Sequence, residues 1–224
     1  MNELRFSNQK LRDLLLPLLI EQALVMLVGM ADTVMVSKLG DAAVSGVSLV
    51  DQICNVIIAL LAALATGGAV VASQMIGADR REDACRVSNQ LVLVVTGVAL
   101  VIMIPVLVFK RGLMNLMFTT VEEDVMDNAL IYLSITALSY PFIAIYNAGT
   151  ALYRSMNRSN TTMAVSFLVN IINIGGNALF VYGMHWGVEG VAIPTLVSRM
   201  TGAIFMMLLL KNPNLQLQDR KSVV

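Results

Sequence analysis

Charge is scarce in this sequence. Only 13% of its 224 residues are Asp, Glu, Lys or Arg, against about 25% in soluble globular chains. The 15 bases and 15 acids cancel, so no basic or acidic field recommends nucleic acid or an acidic surface as a partner. A single histidine, His185, leaves little for a metal centre or a histidine-based catalyst. Two cysteines, Cys54 and Cys85, make no disulfide framework and read as reduced structural thiols. No G-x-S-x-G elbow is present, and no G-x-x-x-x-G-K-[ST] phosphate loop. The chain is therefore not expected to be an enzyme, nor to drive work with ATP on its own. The first 13 residues are polar, and the apolar run after them is too long for a signal-peptide core.

Apolar residues are abundant instead. They make up 57% of the chain, and the mean hydropathy is +0.76. Six apolar runs, each long enough for a bilayer, fall at about 14–37, 46–76, 87–109, 126–152, 161–183 and 188–210. Backbone polar groups in lipid must be satisfied within the segment, so the runs are expected to be helices. The fold class is all-α: a polytopic membrane protein, a bundle of six transmembrane helices. Residues 1–13 read as a cytoplasmic N-terminal segment, 14–210 as the six-helix lobe and 211–224 as a cytoplasmic tail or the start of a linker. The segment 110–125 reads as an amphipathic surface stretch.

Basic residues set the orientation. With the N-terminus cytoplasmic, the inner segments hold Arg5, Lys10, Arg12, Arg80, Arg81, Arg86, Arg154, Arg158, Lys211, Arg220 and Lys221, whereas the outer ones hold Lys38, Lys110 and Arg111. Both termini are thus expected on the cytoplasmic side of the cell membrane. The remaining base, Arg199, falls inside the sixth run.

Polar side chains inside the runs are costly and need a reason: an ionised residue at mid-helix costs about 2.5–3.5 kcal/mol on insertion scales. Asp32 lies 18 residues after Leu14, roughly 27 Å along a helix, in the outer half of the bilayer. In the fifth run Asn170, Asn173 and Asn177 recur at i, i+3 and i+7, on one helix face, beside Gly175 and Gly176. Thr195 lies about two turns into the sixth run. These counts bring Asp32, Asn173, Asn177 and Thr195 to a similar depth, where carboxylate, amide and hydroxyl oxygens would suit a hard cation or a proton. Interhelical hydrogen-bonding glue is the competing explanation of the asparagine stripe. Glu21 is read either as a packing residue or as the lining of an inward cavity, and Asp51 as a charge near the outer end of the second run; with Asn170, both are accessory candidates for the cation or proton site. Pro17, Pro141 and Pro194 interrupt the first, fourth and sixth runs and invite bends.

Several short stretches carry a resemblance. Gly29-Met30-Ala31-Asp32-Thr33-Val34-Met35-Val36-Ser37-Lys38-Leu39-Gly40 is similar to a G-x-x-D-t-x-M-V-g-x-L-G signature. Ser73-Gln74-Met75-Ile76-Gly77-Ala78, Ser139-Tyr140-Pro141 and Leu152-Tyr153-Arg154 follow in order. Asn170-Ile171-Ile172-Asn173, Gly187-Val188-Glu189-Gly190-Val191-Ala192 and Thr195 complete the series. In this order and spacing the chain resembles the multidrug and toxic compound extrusion (MATE) family of cation-coupled exporters.

The resemblance implies that Asp32 is the coupling carboxylate, that Asn173, Asn177 and Thr195 complete a site for Na⁺ or H⁺, and that the first helix bends at Pro17. It implies no cofactor beyond the coupling ion. The expected partners are the lipid bilayer and small, amphipathic organic cations; no nucleic acid is expected. Asn177 stands where many members carry Asp, which removes a second carboxylate and leaves the ion preference open. Asn157 stands where Gly is usual and Thr162 where Pro is common. Members have twelve spans in two lobes, so this chain corresponds to the N-terminal lobe, with one wall of the interlobe cavity supplied elsewhere. A fragment, a homodimer and a pair with a separate second lobe are all compatible with that. An inactive or partner-requiring half-transporter and a flippase of lipid-linked precursors are the alternative functions.

Overall fold

The computed structural model describes residues 8–118 and 121–211. Most of the segments expected at the two ends, 1–7 and 212–224, lie outside the described residues. Among the described residues the chain is helical and contains no strand. The helices are α1 (Asn8–Val36), α2 (Asp41–Gly77), α3 (Arg81–Val108), the short α4 (Lys110–Met117), α5 (Glu123–Ala137), α6 (Tyr140–Ser155), α7 (Ser159–Ala178) and α8 (Glu189–Leu210).

Five of these are long and apolar enough to cross a membrane; α5 and α6, bent by 48° at a short break, pass the same test together, which makes six where the pair is one span. The break has a local cause. Pro141 sits in the first turn of α6 and has no N–H to return to α5. The chain tightens there, with Ser139 N–H bonding Thr136 O at 2.9 Å, and Ile143 N–H restarts the ladder on Ser139 O at 2.9 Å. The other two prolines behave differently: α1 runs as one helix through Pro17, and α8 through Pro194. At the end of α1 a short 3₁₀ turn (Ser37–Leu39) leads into Gly40, whose φ of +102° reverses the chain into α2 in a single residue.

The second span begins earlier than the apolar pattern indicates, at Asp41 rather than 46. The polar residues Asp41 and Ser45 mask the start of the run, yet Asp41 suits a helix N-terminus. Cys85 lies in the first turns of α3 and is buried, as is Cys54, and neither is in a disulfide. Asn157, where the resemblance leads one to expect glycine, has φ +59°. Asparagine is among the few residues that tolerate this left-handed end of a helix.

The bundle is organised around α2, which packs on α3, α5 and α6, while α8 packs on α6 and α7, and α1 leans on α7. Side chains turned away from these contacts are apolar: Leu19, Met30, Val56, Leu93, Val101 and Leu208 are all exposed, as expected of surfaces that meet lipid tails. Small residues permit the closest approaches. A Cβ at Gly46 would stand 2.9 Å from Val125 O and 3.0 Å from Ala129 N of α5. Both are backbone atoms that cannot move aside. Gly46→Ala is therefore expected to cost about 1–3 kcal/mol, the usual penalty of overpacking. A thermal-unfolding series in detergent would show it as a lowered midpoint; an unchanged midpoint would contradict the close α2–α5 packing.

Candidate functional site

A cavity of about 840 Å³ opens between α1, α2, α5, α6, α7 and α8. That lies within the range of small-molecule sites, about 300–1,000 Å³. Its polar residues fall into three groups along the bundle.

The first group contains Asp32. Asn177 Nδ2 donates to Asp32 Oδ1 at 2.6 Å and also reaches Asn173 Oδ1 at 3.4 Å. Asn173 Nδ2 donates to Thr195 Oγ1 at 3.0 Å, and Thr195 Oγ1 donates to Val191 O at 2.8 Å. The four residues expected at one depth thus form one continuous chain of hydrogen bonds across α1, α7 and α8. The i, i+4 spacing of Asn173 and Asn177 puts them on one face of α7. That face can approach α8 because a Cβ at Gly176 would already be 2.7 Å from Pro194 Cβ. Asn177 is fully buried, and its Oδ1 has no hydrogen-bond donor. A buried acceptor without a donor is rare and costly. Here it sits one side chain from a carboxylate, an arrangement that a cation or a proton would relieve. With Asp32, the cluster offers oxygen ligands of the kind hard cations take. No group of three or more His, Cys, Asp and Glu that could hold a metal occurs among the described residues, so any cation here would lean on amide and hydroxyl oxygens.

The second group lies deeper. The Tyr132 hydroxyl of α5 donates to Asp51 Oδ1 at 3.3 Å. Arg199 Nη1 of α8 donates to Ser139 Oγ at 2.6 Å, and Ser139 Oγ donates to Thr136 O at 2.6 Å. Nearby, Cys54 Sγ and the Tyr140 hydroxyl lie 3.3 Å apart. Asp51 is therefore not a charge at the helix end. Because α2 starts at Asp41, it lies ten residues in, roughly 15 Å along the axis, and lines the cavity.

The third group is an ion pair. Arg154 Nη2 lies 2.7 Å from Glu21 Oε2, and Thr162 Oγ1, which donates to Ser159 O at 2.8 Å, lies 3.5 Å from the same carboxylate oxygen. Glu21 is thus both a packing residue and a lining residue. It joins α1 to α6 and α7, eleven residues before Asp32, about 16 Å along α1. Asn170, the first of the asparagine stripe, also lines the cavity, but its Nδ2 has no partner and it stands outside the Asp32 hydrogen-bond chain. Pro17 is buried in α1 and is not among the lining residues. The sequence pattern did not point to Arg154, Tyr132 or Ser139 as site residues. Arg154 was legible as a positive charge near a span end and as part of the Leu152-Tyr153-Arg154 stretch, but not as the partner of Glu21.

Asn177 also suggests an expected result. Asn177→Asp would place a second carboxylate where an amide now donates to the first. Two carboxylates at that distance cannot both stay ionised unless a proton or cation lies between them. The variant's unfolding temperature is expected to rise with added Na⁺ or with falling pH more steeply than that of the unaltered chain. Identical slopes would mean that the two side chains are not close.

The sequence profile of the family described as MatE matches residues 17–179. The uncharacterized transporter YisQ of Bacillus subtilis is 30% identical over 206 residues, which are 90% of this chain and 45% of that protein. A probable multidrug resistance protein NorM of Thermotoga maritima is 31% identical over 224 residues, 97% of this chain and 47% of that protein. Among solved structures, a multidrug resistance MATE family transporter in an outward-facing conformation superposes with a TM-score of 0.85 at 26% identity, covering 91% of this chain and 45% of the other. A transporter of the MOP superfamily from Pyrococcus furiosus, described as having a binding pocket of reversed polarity, gives a TM-score of 0.85 at 26% identity, over 91% and 44%. The chain spans about half the length of the curated relatives it matches.

Proposed function

From the premise that this chain belongs to the MatE family of membrane transporters, we propose that it is one lobe of a cation-coupled exporter. Asp32 takes up the coupling ion, H⁺ or Na⁺, with Asn177, Asn173 and Thr195 as its partners. An amphipathic organic cation occupies the cavity and leaves the cell in exchange. A second six-helix lobe, whether a continuation, a separate chain or another copy, supplies the opposite wall. Both ends of the lobe face the cytoplasm, in keeping with the distribution of basic residues.

The observation that carries this reading is the 2.6 Å bond from Asn177 to Asp32 beside the unpartnered Asn177 Oδ1. An ion bound there removes a buried negative charge and supplies a partner for an orphaned oxygen. It therefore favours whichever packing of α1, α7 and α8 holds the cluster together. A ligand shifts a conformational equilibrium only through such a difference in affinity, and alternating access needs no other drive. A flippase of lipid-linked precursors would need several bases free in the cavity to hold pyrophosphate. Arg154 is committed to Glu21, which leaves Arg199 alone, so the structure favours the exporter.

The test is transport in proteoliposomes holding the assembled protein, with an ethidium load and an imposed H⁺ or Na⁺ gradient. One of the two gradients is expected to drive ethidium against its own gradient. Equal rates with and without each gradient would overturn the coupling.

A further inference from the structure

Five acidic or basic side chains line the cavity: Glu21, Asp32, Asp51, Arg154 and Arg199. Glu21 and Arg154 neutralise each other. Asp32 belongs to the coupling cluster, and an ion bound there cancels its charge. One acid and one base then remain, Asp51 and Arg199, and each is only partly satisfied. Among the described residues Asp51 has one hydrogen-bond donor, the Tyr132 hydroxyl. Among the described residues the Arg199 guanidinium makes one hydrogen bond, to Ser139, and no ion pair with a carboxylate. A guanidinium carries five N–H donors, so most of them are left for whatever enters the cavity. Both groups are held by the bent span, Asp51 from α5 and Arg199 from the break before α6, and that support fixes where the charges stand.

The surroundings of Arg199 also call for acceptors. It lies one turn past Thr195 on α8, and Asn170 lies one turn before Asn173 on α7. The two residues therefore share the layer next to the Asn173–Thr195 bond. Asn170 Nδ2 and, on α6, Asn147 Nδ2 are buried donors without acceptors, and both residues line the cavity. An organic cation entering this layer could satisfy Asp51, but it would leave the Asn170 amide and most of the Arg199 donors without acceptors in a low-dielectric space. That is expensive. A molecule with a carboxylate as well as a positive group would satisfy all of them.

We propose that Arg199, with the Asn170 amide in the same layer, is a subsite for the carboxylate of a zwitterionic substrate whose positive group is held by Asp51. This rests on the cavity being the transport site, and it narrows the substrate class from organic cations to amphipathic zwitterions.

A matched pair of dyes tests it by binding alone, without any gradient. Rhodamine 110 carries a free carboxylate, and rhodamine 123 is its methyl ester, a plain cation. Fluorescence anisotropy is measured with the assembled protein, second lobe included, purified in mild detergent. The unaltered protein is expected to bind rhodamine 110 more tightly than rhodamine 123. Arg199→Gln is expected to weaken rhodamine 110 by about 10- to 100-fold, the loss associated with a hydrogen bond between charged groups. It should leave rhodamine 123 unchanged or tighter, so the ester also reports that the variant is folded. Arg199→Lys keeps the charge and should retain most of the rhodamine 110 affinity. If R199Q weakens both dyes equally, or neither, the carboxylate subsite is wrong while the exporter reading stands. If the unaltered chain binds neither dye, the cavity is not a substrate site and both fall.

Discussion

Replacing Asp32 with asparagine is expected to abolish gradient-driven transport and to leave the bundle folded. The substitution is nearly isosteric, and the new side chain still offers an oxygen to Asn177 Nδ2, so the 2.6 Å contact can persist. What disappears is the ability to exchange a charge for a bound ion. Moving a two-state equilibrium from 1:99 to 99:1 needs an affinity difference of about 10⁴-fold, or about 5.5 kcal/mol. An amide that neither titrates nor attracts a cation supplies none of it. Accumulation of ethidium against its gradient should fall to the level of protein-free vesicles. Downhill exchange and dye binding should survive, because the cavity and its other charges are intact. Three measurements separate the effect from unfolding: gradient-driven uptake, equilibrium exchange, and the unfolding midpoint. If D32N pumped at the normal rate, the coupling ion would bind elsewhere.

Arg154→Ala is expected to be the most destabilising single change in the cavity. It removes the partner from a carboxylate that is only 6% exposed. Breaking a buried pair from that side typically costs about 3–5 kcal/mol, mainly because an uncompensated charge is left behind. The reverse change is milder. Glu21→Gln leaves an arginine whose side chain is 41% exposed, and a long side chain at the end of α6 can turn its guanidinium to water or headgroups. That loss should be closer to 1 kcal/mol, in the range of exposed pairs. The double variant should recover much of what R154A loses, since the stranded charge is then gone. Unfolding midpoints in detergent for the two single variants and the double variant form a complete thermodynamic cycle. If E21Q and R154A cost the same and simply add, the pair has no structural weight. The geometry has a consequence for function too. The pair ties α1 to α6 some 16 Å along the helix from Asp32, so it restrains the same helix that carries the coupling carboxylate.

The outline of this molecule was legible without coordinates, and so was its Asp32 cluster. Long apolar runs have one solution in a bilayer, and polar residues spaced at 3 and 4 share a helix face. Asn173 and Asn177 could therefore be aligned by counting, and Asp32 and Thr195 matched to them by depth. Asp51 was misplaced because hydropathy finds apolar runs rather than helix starts, and Asp41 begins the helix in a polar stretch. Pro141 could be seen to interrupt its span, and the break there is real. Pro17 and Pro194 read the same way, but their helices run on as single elements.

By itself the sequence determined the properties that depend on neighbours along the chain: helix identity, span number, the polar face of α7, and the family to which the stretch around Asp32 points. The tertiary structure decided which polar groups meet. Glu21 finds Arg154, Asp51 finds Tyr132 and Arg199 finds Ser139 across 133, 81 and 60 positions of sequence. Each meeting depends on how far one helix is rotated about its axis against another. That rotation is set by whole packing faces, by Gly46 against α5 and Gly176 against Pro194, and not by anything local to the charged residue. Depth can be counted from a sequence, but azimuth has to be packed.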